Sequence, residues 1–333
     1  MLPHYSPFKV AETFALLSGL FPGRIDLGLG RAAGTDPRTS VALQRDRSAA
    51  PADDFPQQLV ELLAYFECAI PPEHPFARQG ALFQGLEKPE PWLLGSSAQS
   101  AIWAAQAAMR GAIAGLVTAP LHKEALAAAG VGFPGHTELL QAQAAAWLGK
   151  ALSEMPVRMM LANDELRTVL VSIHLSLRDA LQAVTFTNVL QTIRITHQAL
   201  SGMLGRAPRI GVAGLNPHAG EGGLFGREEI DIIGPAIAAA QASGIAVEGP
   251  FGADTMFHRT GDDAFIVMVH DQGHIAAKLQ ARNRTAGLTI GTPVLFSSVA
   301  HGSALDIAGK NLASLAAVIE AVQRLAGAAG QSS

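Results

Sequence analysis

Three histidines follow predicted strands in the second half of the sequence. His174 comes after VLVSI, His218 after RIGVAGLNP and His270 after FIVMV. Ligand sites in open α/β sheets gather beyond the carboxyl ends of strands. Imidazoles delivered there from three strands suit a borderline divalent cation such as zinc, with one position left open for a substrate. Taken alone, any one of them is better explained as a hydrogen-bonded structural histidine.

A second segment, HGSALDIAGK at 301–310, is suited to binding a nucleotide. Its small residues Gly302, Ser303 and Ala304 let the backbone approach a ligand closely. Asp306 can accept a hydrogen bond from a ribose hydroxyl or an adenine amine. By contrast, GLGRAAG at 28–34 departs from the dinucleotide pattern G-x-G-x-x-G because its third glycine is displaced, so it is assigned no cofactor role.

Regular alternation of strands and helices positions these residues. From Ala107 onward, a buried strand is predicted in AIAGLVTAP and helices in HKEALAAAG and after GHTEL. VRMMLA and RTVLVSIH are predicted as neighbouring strands joined through Asn163 and Asp164. Further predicted elements are a helix from TNVLQ to Gly205, the strand RIGVAGL, a helix over 228–242 closed by Gly244, the strand AFIVMVH and a final helix from NLASL.

The first hundred residues alternate less regularly between predicted strands and helices. Helical spacing is predicted over 9–20, a strand over 25–29 and a surface loop over 35–52. Asp53 or Asp54 can cap a helix through PQQLVELLAYF. Next comes an irregular connection, rich in proline and glycine, that ends at the strand-like PWLLGSS.

Composition excludes several classes of protein. The chain has 333 residues, of which 49% are hydrophobic and 16% charged, with a net charge of -4 and a pI of about 6.3. No basic face for nucleic acid is implied, and no membrane span or signal peptide is predicted. The single cysteine, Cys68, excludes a disulfide framework, fits a reducing cytoplasm and is expected to be buried. The mean hydropathy of +0.24 fits an α/β enzyme or an oligomer with an apolar interface.

Residues 1–106 resemble the luciferase-like, flavin-dependent monooxygenases. The resemblance rests on MLPHYSPFKVAETFALL, FPGRIDLGLGRAAGTD, DDFPQQLVELLAYF and PWLLGSSAQSAIWAAQ. It implies a partial (β/α) barrel-like fragment, because that family folds as a (β/α)8 barrel and the match ends near Gln106. Since a barrel cannot close from such a segment, no flavin site is expected.

Residues 107–333 resemble the 4-hydroxythreonine-4-phosphate dehydrogenase family. The resemblance rests on VTAPLHKEAL, GHTEL, IHLSLRDAL, GLNPHAGEGGLFGREEID, GADTMF, HDQGHIAAK and SSVAHGSALDIAGK. It implies an α/β/α domain like that of isocitrate and isopropylmalate dehydrogenases. The family's own N-terminal segment is missing from the resemblance, so the chain is interpreted as a chimera of two families.

This resemblance implies an NAD-dependent oxidation of a hydroxy acid that requires a divalent metal, as in pyridoxal phosphate (vitamin B6) biosynthesis. The three strand-end histidines match the family's metal ligands, which favours zinc there, with cobalt, magnesium or manganese as alternatives. A divalent cation lowers the pKa of a coordinated hydroxyl, so hydride can leave. Asp254 and Asp271 are candidate catalytic groups beside the metal, with a helix-cap or turn role as the competing interpretation. Other histidines, including His4, His74, His122, His197 and His258, are expected on the surface or on helices without a role.

The resemblance also implies where substrate and NAD bind. His136 and Thr137 match a substrate-binding pair at a helix start, although capping alone would explain Thr137. Lys278 matches a lysine that contacts the substrate and takes part in catalysis, the alternative being an ordinary solvated lysine. The implied NAD-binding residues are His301, Gly302, Ser303 and Asp306. The family implies a homodimer whose metal site is shared between subunits.

Two departures leave the substrate open. Gly287 and Phe296 stand where the family has an asparagine and an arginine, and losing the arginine weakens the case for a phosphorylated substrate. The same segment resembles the cis-dihydrodiol dicarboxylate dehydrogenases. Two alternatives stay open: a flavin-dependent luciferase-like monooxygenase, and a chimera that folds without catalysis.

Overall fold

A computed structural model gives the positions of most of the chain. It describes residues 2, 5–30, 54–94, 98–128, 130, 132, 133, 135–281, 284–307 and 309–329. The chain divides into two units, Met1–Ile113 and Ala114–Ser333. The predicted loop at 35–52 and His4 lie outside the described residues, and the 28–34 glycine segment is described only as far as Gly30. Across the described ranges, no helix combines the length and apolarity needed to cross a bilayer.

Helices and a small parallel sheet make up the first unit. It contains α1 (Pro7–Leu20), β1 (Asp26–Gly30), α2 (Phe55–Phe66), the short α3 (Ala77–Gly80), β2 (Glu90–Leu94) and α4 (Ala98–Met109). Ser6 caps α1 by accepting a hydrogen bond from Lys9 N at 3.2 Å, and Pro7 suits the first helical turn because no donor is needed there. β1 and β2 pair in parallel, as expected of a barrel-like fragment.

An aromatic cluster forms the core of this unit. The ring of Phe8 lies 5.5 Å from that of Tyr65 and 5.7 Å from that of Phe83, centroid to centroid. Burial, together with the carboxylate of Glu61, raises the pKa of Tyr65 to about 12. Cys68 was expected to be buried, and this was wrong: it is exposed just after α2, at a left-handed φ of 52°.

The second unit is built on an eight-stranded sheet. Its strands are β3 (Leu116–Thr118), β4 (Arg158–Ala162), β5 (Arg167–Leu170), β6 (Ile210–Ala213), β7 (Val247–Phe251), β8 (Ala264–Val267), β9 (Ala286–Ile290) and β10 (Phe296–Val299). They lie in the order β3-β10-β9-β4-β5-β8-β6-β7. Pairing is parallel from β5 through β8 and β6 to β7, and antiparallel between β5, β4, β9 and β10.

Helices cover both faces of this sheet. They are α5 (Lys123–Ala128), α6 (His136–Trp147), α7 (Leu177–Ala183), α8 (Phe186–Leu204), α9 (Gly234–Ala242), α10 (His270–Ala281) and α11 (Ala316–Ala329). Along β8, Ile266 packs in one core cluster with α8 and α9, whereas Phe265 and Val267 pack in another with Ala277 of α10. Because neighbouring strand residues face opposite sides, both layers are filled. The predicted α/β/α fold class is confirmed.

Most predicted elements of this unit are present with shifted ends. The long helix ends at Gly205, whose φ of 64° is the left-handed cap that glycine favours. Asn163 turns β4 into β5, since its Oδ1 accepts from Glu165 N and Leu166 N at 2.9 and 2.8 Å. The helix predicted over 228–242 is a π-helical turn, Glu229–Ile233, followed by α9. The strand predicted over 112–120 is shorter, at 116–118.

Candidate active site

The three strand-end histidines follow neighbouring parallel strands. His174 comes after β5, His270 begins α10 directly after β8, and His218 comes after β6. Because β8 pairs in parallel with both β5 and β6, the carboxyl ends of all three strands lie at one edge of the sheet. The predicted placement of these histidines at that edge is observed.

Two of these histidines lie close together. The ring centroids of His174 and His270 are 6.0 Å apart. His270 also stacks on His274 of the next helical turn, with centroids 3.9 Å apart and planes inclined by 23°. His274 is 6% exposed, and among the described residues its Nδ1 has no hydrogen-bond partner. Burial, with the nearby charges of His270 and Lys278, lowers the pKa of His274 to about 3, so this ring is neutral at physiological pH.

Carboxylates pair with His270 and His218. His270 Nδ1 lies 2.7 Å from Asp271 Oδ1, and His218 Nδ1 lies 3.1 Å from Glu221 Oε2. The hydrogen bond with His270 lowers the pKa of Asp271. Carboxylates commonly orient metal-ligating histidines in this way. Among the described residues of the single chain, however, no three His, Cys, Asp or Glu side chains are grouped so that they could hold one metal ion.

The other candidate catalytic residues lie beside this edge. Lys278 is exposed on α10, and its positive charge acts on Asp271 and His274. Asp254 follows β7, the neighbour of β6. A Cβ added at Gly252 would lie 2.9 Å from Asp254 Oδ1 and 3.9 Å from His218 Cα, so the Asp254 carboxylate is near the His218 backbone.

His136 and Thr137 lie at the side of the sheet formed by β3, β10 and β9, away from β8, β6 and β7. His136 Nδ1 lies 3.4 Å from Thr118 Oγ1, and Thr137 Oγ1 lies 3.0 Å from Thr289 Oγ1. Burial lowers the pKa of His136, while the charge of Glu138 acts in the opposite direction. Thr137 does not cap α6, because the helix begins at His136 and the N-cap residue is Gly135.

The departures from the expected substrate residues lie close to His136. The Phe296 ring is buried on β10, with its centroid 5.8 Å from that of His136. Gly287, on β9, pairs with Ser298, whose Oγ would lie 3.3 Å from a Cβ added at position 287. An apolar ring therefore occupies the position where an arginine was expected, next to His136.

The predicted nucleotide segment is a surface turn. His301 Nδ1 lies 2.9 Å from Gly302 O, and Ala304 has a left-handed φ of 48°. Asp306 is exposed within the 3₁₀ turn Leu305–Ile307. A Cβ added at Gly302 would meet no described residue within 4 Å, so the backbone there is open to a ligand with respect to the described part of the chain.

Sequence reasoning missed three polar residues at the histidine edge, His274, Gln272 and Glu229. The spacing of His270 and His274 was a usable signal, because residues four apart share a helix face. Gln272 and Glu229 gave no such signal and are recognised only by their contacts.

Comparison with known proteins identifies related families. A family described as pyridoxal phosphate biosynthetic protein PdxA matches residues 95–325. A second family, luciferase-like monooxygenase, matches residues 1–131 and overlaps the first match. The chain is 51% identical over 209 residues to the 4-hydroxythreonine-4-phosphate dehydrogenase of Beijerinckia indica, a match that covers 62% of this chain and 60% of that protein. The chain thus spans about 60% of the length of this curated relative.

Two of the solved structures similar to this chain are also dehydrogenases. A 4-hydroxythreonine-4-phosphate dehydrogenase from Klebsiella pneumoniae is 28% identical, with a TM-score of 0.65 covering 98% of this chain and 97% of that one. A terephthalate 1,2-cis-dihydrodiol dehydrogenase from Burkholderia xenovorans is 36% identical, with a TM-score of 0.54 covering 69% and 73%.

Proposed function

Because the chain belongs to the PdxA family, matched over residues 95–325, we propose that it is a metal- and NAD-dependent dehydrogenase that oxidises the secondary alcohol of a hydroxy acid. The observation that carries this proposal is the approach of His174 and His270, 6.0 Å between ring centroids, at the carboxyl edge of parallel strands. The domain assignment is part of the proposal: 107–333 is the dehydrogenase region and 1–106 a monooxygenase-like fragment.

The donor set fits a divalent ion such as zinc. Asp271 and Glu221 pair with Nδ1 of His270 and His218, which leaves Nε2 of each ring for the metal. A metal held there would lower the pKa of the substrate hydroxyl, and bound NAD would serve as the hydride acceptor. The 301–306 turn would hold NAD, since its backbone is open at Gly302 and its Asp306 carboxylate is exposed.

Other side chains would bind the substrate through charge and hydrogen bonds. The exposed Lys278 ammonium is a point charge for a substrate carboxylate. His136, whose pKa is lowered by burial, can in its neutral form donate one hydrogen bond and accept another. Phe296 lies beside His136 where an arginine was expected, so no guanidinium group is present there to bind a phosphate through two hydrogen bonds. A dicarboxylate is therefore as good a substrate candidate as 4-hydroxythreonine-4-phosphate.

We also infer a homodimer in which a second copy completes the metal site. Within one chain, His174 and His270 approach each other, and exposed apolar side chains follow each of the three strand-end histidines. These are Leu175, Leu177, Leu181, Leu224, Phe225, Ile275 and Leu279. Such surfaces suit an interface between subunits. A cytoplasmic location accords with the single cysteine.

Metal analysis combined with an NAD reduction assay tests the function. The panel should include 4-hydroxythreonine-4-phosphate and a cis-dihydrodiol dicarboxylate. We expect about one zinc-like ion per chain and NADH formation that a chelator abolishes. The luciferase-like match over residues 1–131 favours a second candidate, a flavin-dependent monooxygenase. A yellow, metal-free protein with stably bound flavin would support that alternative and overturn the dehydrogenase.

A further inference from the structure

Gln272 joins the strand end before His270 to the strand end before His218. Its Oε1 accepts hydrogen bonds from Met268 N and Val269 N at 3.0 and 3.2 Å, in the two residues that lead into His270. Its Nε2 donates to Gly214 O at 3.2 Å, directly after β6. One carboxamide therefore holds two chain segments that are distant in sequence.

Glu229 continues this connection on the other side of Gly214. Its Oε1 accepts from Leu215 N and Asn216 N, both at 2.7 Å, and its Oε2 accepts from Asn216 Nδ2 at 3.0 Å. The side chain is 4% exposed. Burial alone would raise the pKa of Glu229, but these hydrogen bonds outweigh burial and lower it, so the group is a buried carboxylate with its partners supplied by this loop.

The segment held by Glu229 has an unusual backbone. His218, Ala219 and Glu221 have φ values of 52°, 50° and 45°, in the left-handed region that L-residues avoid. Gly220 lies among them, and a Cβ there would be 2.7 Å from Glu229 Oε2, so only glycine admits the carboxylate. A strained segment persists only when its surroundings over-determine it, and the buried Glu229 carboxylate fixes Leu215 and Asn216 directly before this segment.

We propose that Gln272 and Glu229 form one positioning relay, through Gly214 and Leu215, that holds the His218 segment in register with the start of α10 at His270. Neither side chain touches metal or substrate in this assignment. The relay acts through the backbone that carries two of the metal ligands, so it rests on the proposed function. Partners of this kind around metal ligands affect affinity, typically ~10- to 100-fold.

Conservative variants isolate the relay. Gln272→Glu keeps an oxygen for Met268 N and Val269 N but sets a second oxygen against Gly214 O. Glu229→Gln keeps the side-chain length but replaces one carboxylate oxygen by an NH₂ group. That NH₂ donor then faces an N–H donor of Leu215 or Asn216. Matched controls are Gln280→Glu, an exposed glutamine on the same helix, and Asp231→Asn, in an exposed ion pair beside Glu229.

Two readouts are measured on the full-length protein: Co²⁺ affinity, from the visible absorption of the bound ion, and amide hydrogen exchange in 214–226. We expect either relay variant to weaken Co²⁺ binding ~10- to 100-fold and to speed exchange in 214–226, with both controls like wild type. The double variant should lose less than the product of the two single losses, because both act on one connection.

Several outcomes would overturn the relay. Unchanged affinity and unchanged exchange in Gln272→Glu would do so, even if Glu229→Gln failed to fold. Independent, multiplicative losses in the double variant would also do so. If wild-type protein takes up no Co²⁺, the proposed metal site fails by itself, and the relay is then judged by exchange: faster exchange in 214–226 of Gln272→Glu supports it, and unchanged exchange refutes it.

Discussion

The imidazole rings of His174 and His270 lie with their centroids 6.0 Å apart, although each follows a different strand of the sheet. Parallel pairing of β5 with β8 causes this approach, since it brings both strand ends to one edge. His274, one helical turn further along α10, stacks on the ring of His270. The arrangement places imidazole nitrogens at one edge of the sheet, with the orientation of the His270 ring restricted by its contacts with Asp271 and His274.

Removing one imidazole should abolish metal-dependent catalysis. We expect His174→Ala, His218→Ala or His270→Ala to lose metal and dehydrogenase activity together while the fold is retained, because a site of three imidazoles loses much of its affinity when reduced to two. Without the metal, the substrate hydroxyl keeps its aqueous pKa and hydride transfer stops. Metal occupancy is measured by metal analysis, activity by NADH formation, and retention of the fold by far-UV circular dichroism.

His258 provides the matched control for these substitutions. It is exposed in the 3₁₀ turn Met256–His258 and lies outside the proposed ligand set. His258→Ala should keep both metal and activity. If the His218 variant kept both while the His258 variant lost them, the ligand assignment would be wrong.

Local signals explain which parts of the fold could be predicted. The end of α8 at Gly205 and the turn at Asn163 depend on neighbouring residues, so the sequence predicted both. β9 and β10 were not predicted as strands, because β9 is stabilised by pairing with β4, far away in sequence. The π-helical turn at 229–233 was also missed, since its geometry depends on the buried contacts of Glu229.

The site was predictable to the same degree. The strand-end rule placed His174 and His270 correctly at one edge, because parallel sheets make strand ends meet. The stacking of His274 and the bond from Gln272 to Gly214 depend on how α10 packs, which periodicity does not specify. The positions of these two histidines were therefore predictable from the sequence, and the interactions that orient their side chains were not.

His136 should make the stability of the protein depend on pH. Burial lowers its pKa in the folded state, so the unfolded chain takes up a proton first as the pH falls below about 6.5. The contribution of neutral His136 to the free energy of unfolding is complete above that pH, and it is lost as the pH falls toward the lowered pKa of the folded state. We expect the thermal midpoint to drop more in wild type than in His136→Gln between about pH 7.5 and about pH 5.

Glu138 supplies an internal check on this effect. Its charge acts to raise the pKa of His136, so Glu138→Gln should deepen the loss of stability in acid. Identical pH profiles of wild type, His136→Gln and Glu138→Gln would show that His136 does not titrate as described.

Sedimentation should show a dimer that depends on the apolar residues next to the histidines. Leu177 and Leu224 are 71% and 72% exposed in the single chain, and covering them would stabilise an interface. We expect Leu224→Asp to shift the protein toward monomer and to reduce metal occupancy. Leu152→Asp, at an exposed leucine on another turn, is the control. A strictly monomeric sample with full activity would contradict the shared site.

The first unit should not bind FMN. A flavin site in a (β/α)8 barrel is walled by loops after many strands, whereas within the described residues this unit has only the pair β1 and β2. The unit has an apolar cavity of about 540 Å³, but the described residues that line it come from α2, α4 and the segments that follow them. None of these described lining residues belongs to β1 or β2. FMN titration, followed by flavin fluorescence, should therefore show no saturable binding. Micromolar binding that Leu29→Asp abolished, at a buried position on β1, would place a working flavin site in this unit and refute the prediction. Weak binding lost in Arg110→Ala, in the cavity wall, would leave it standing.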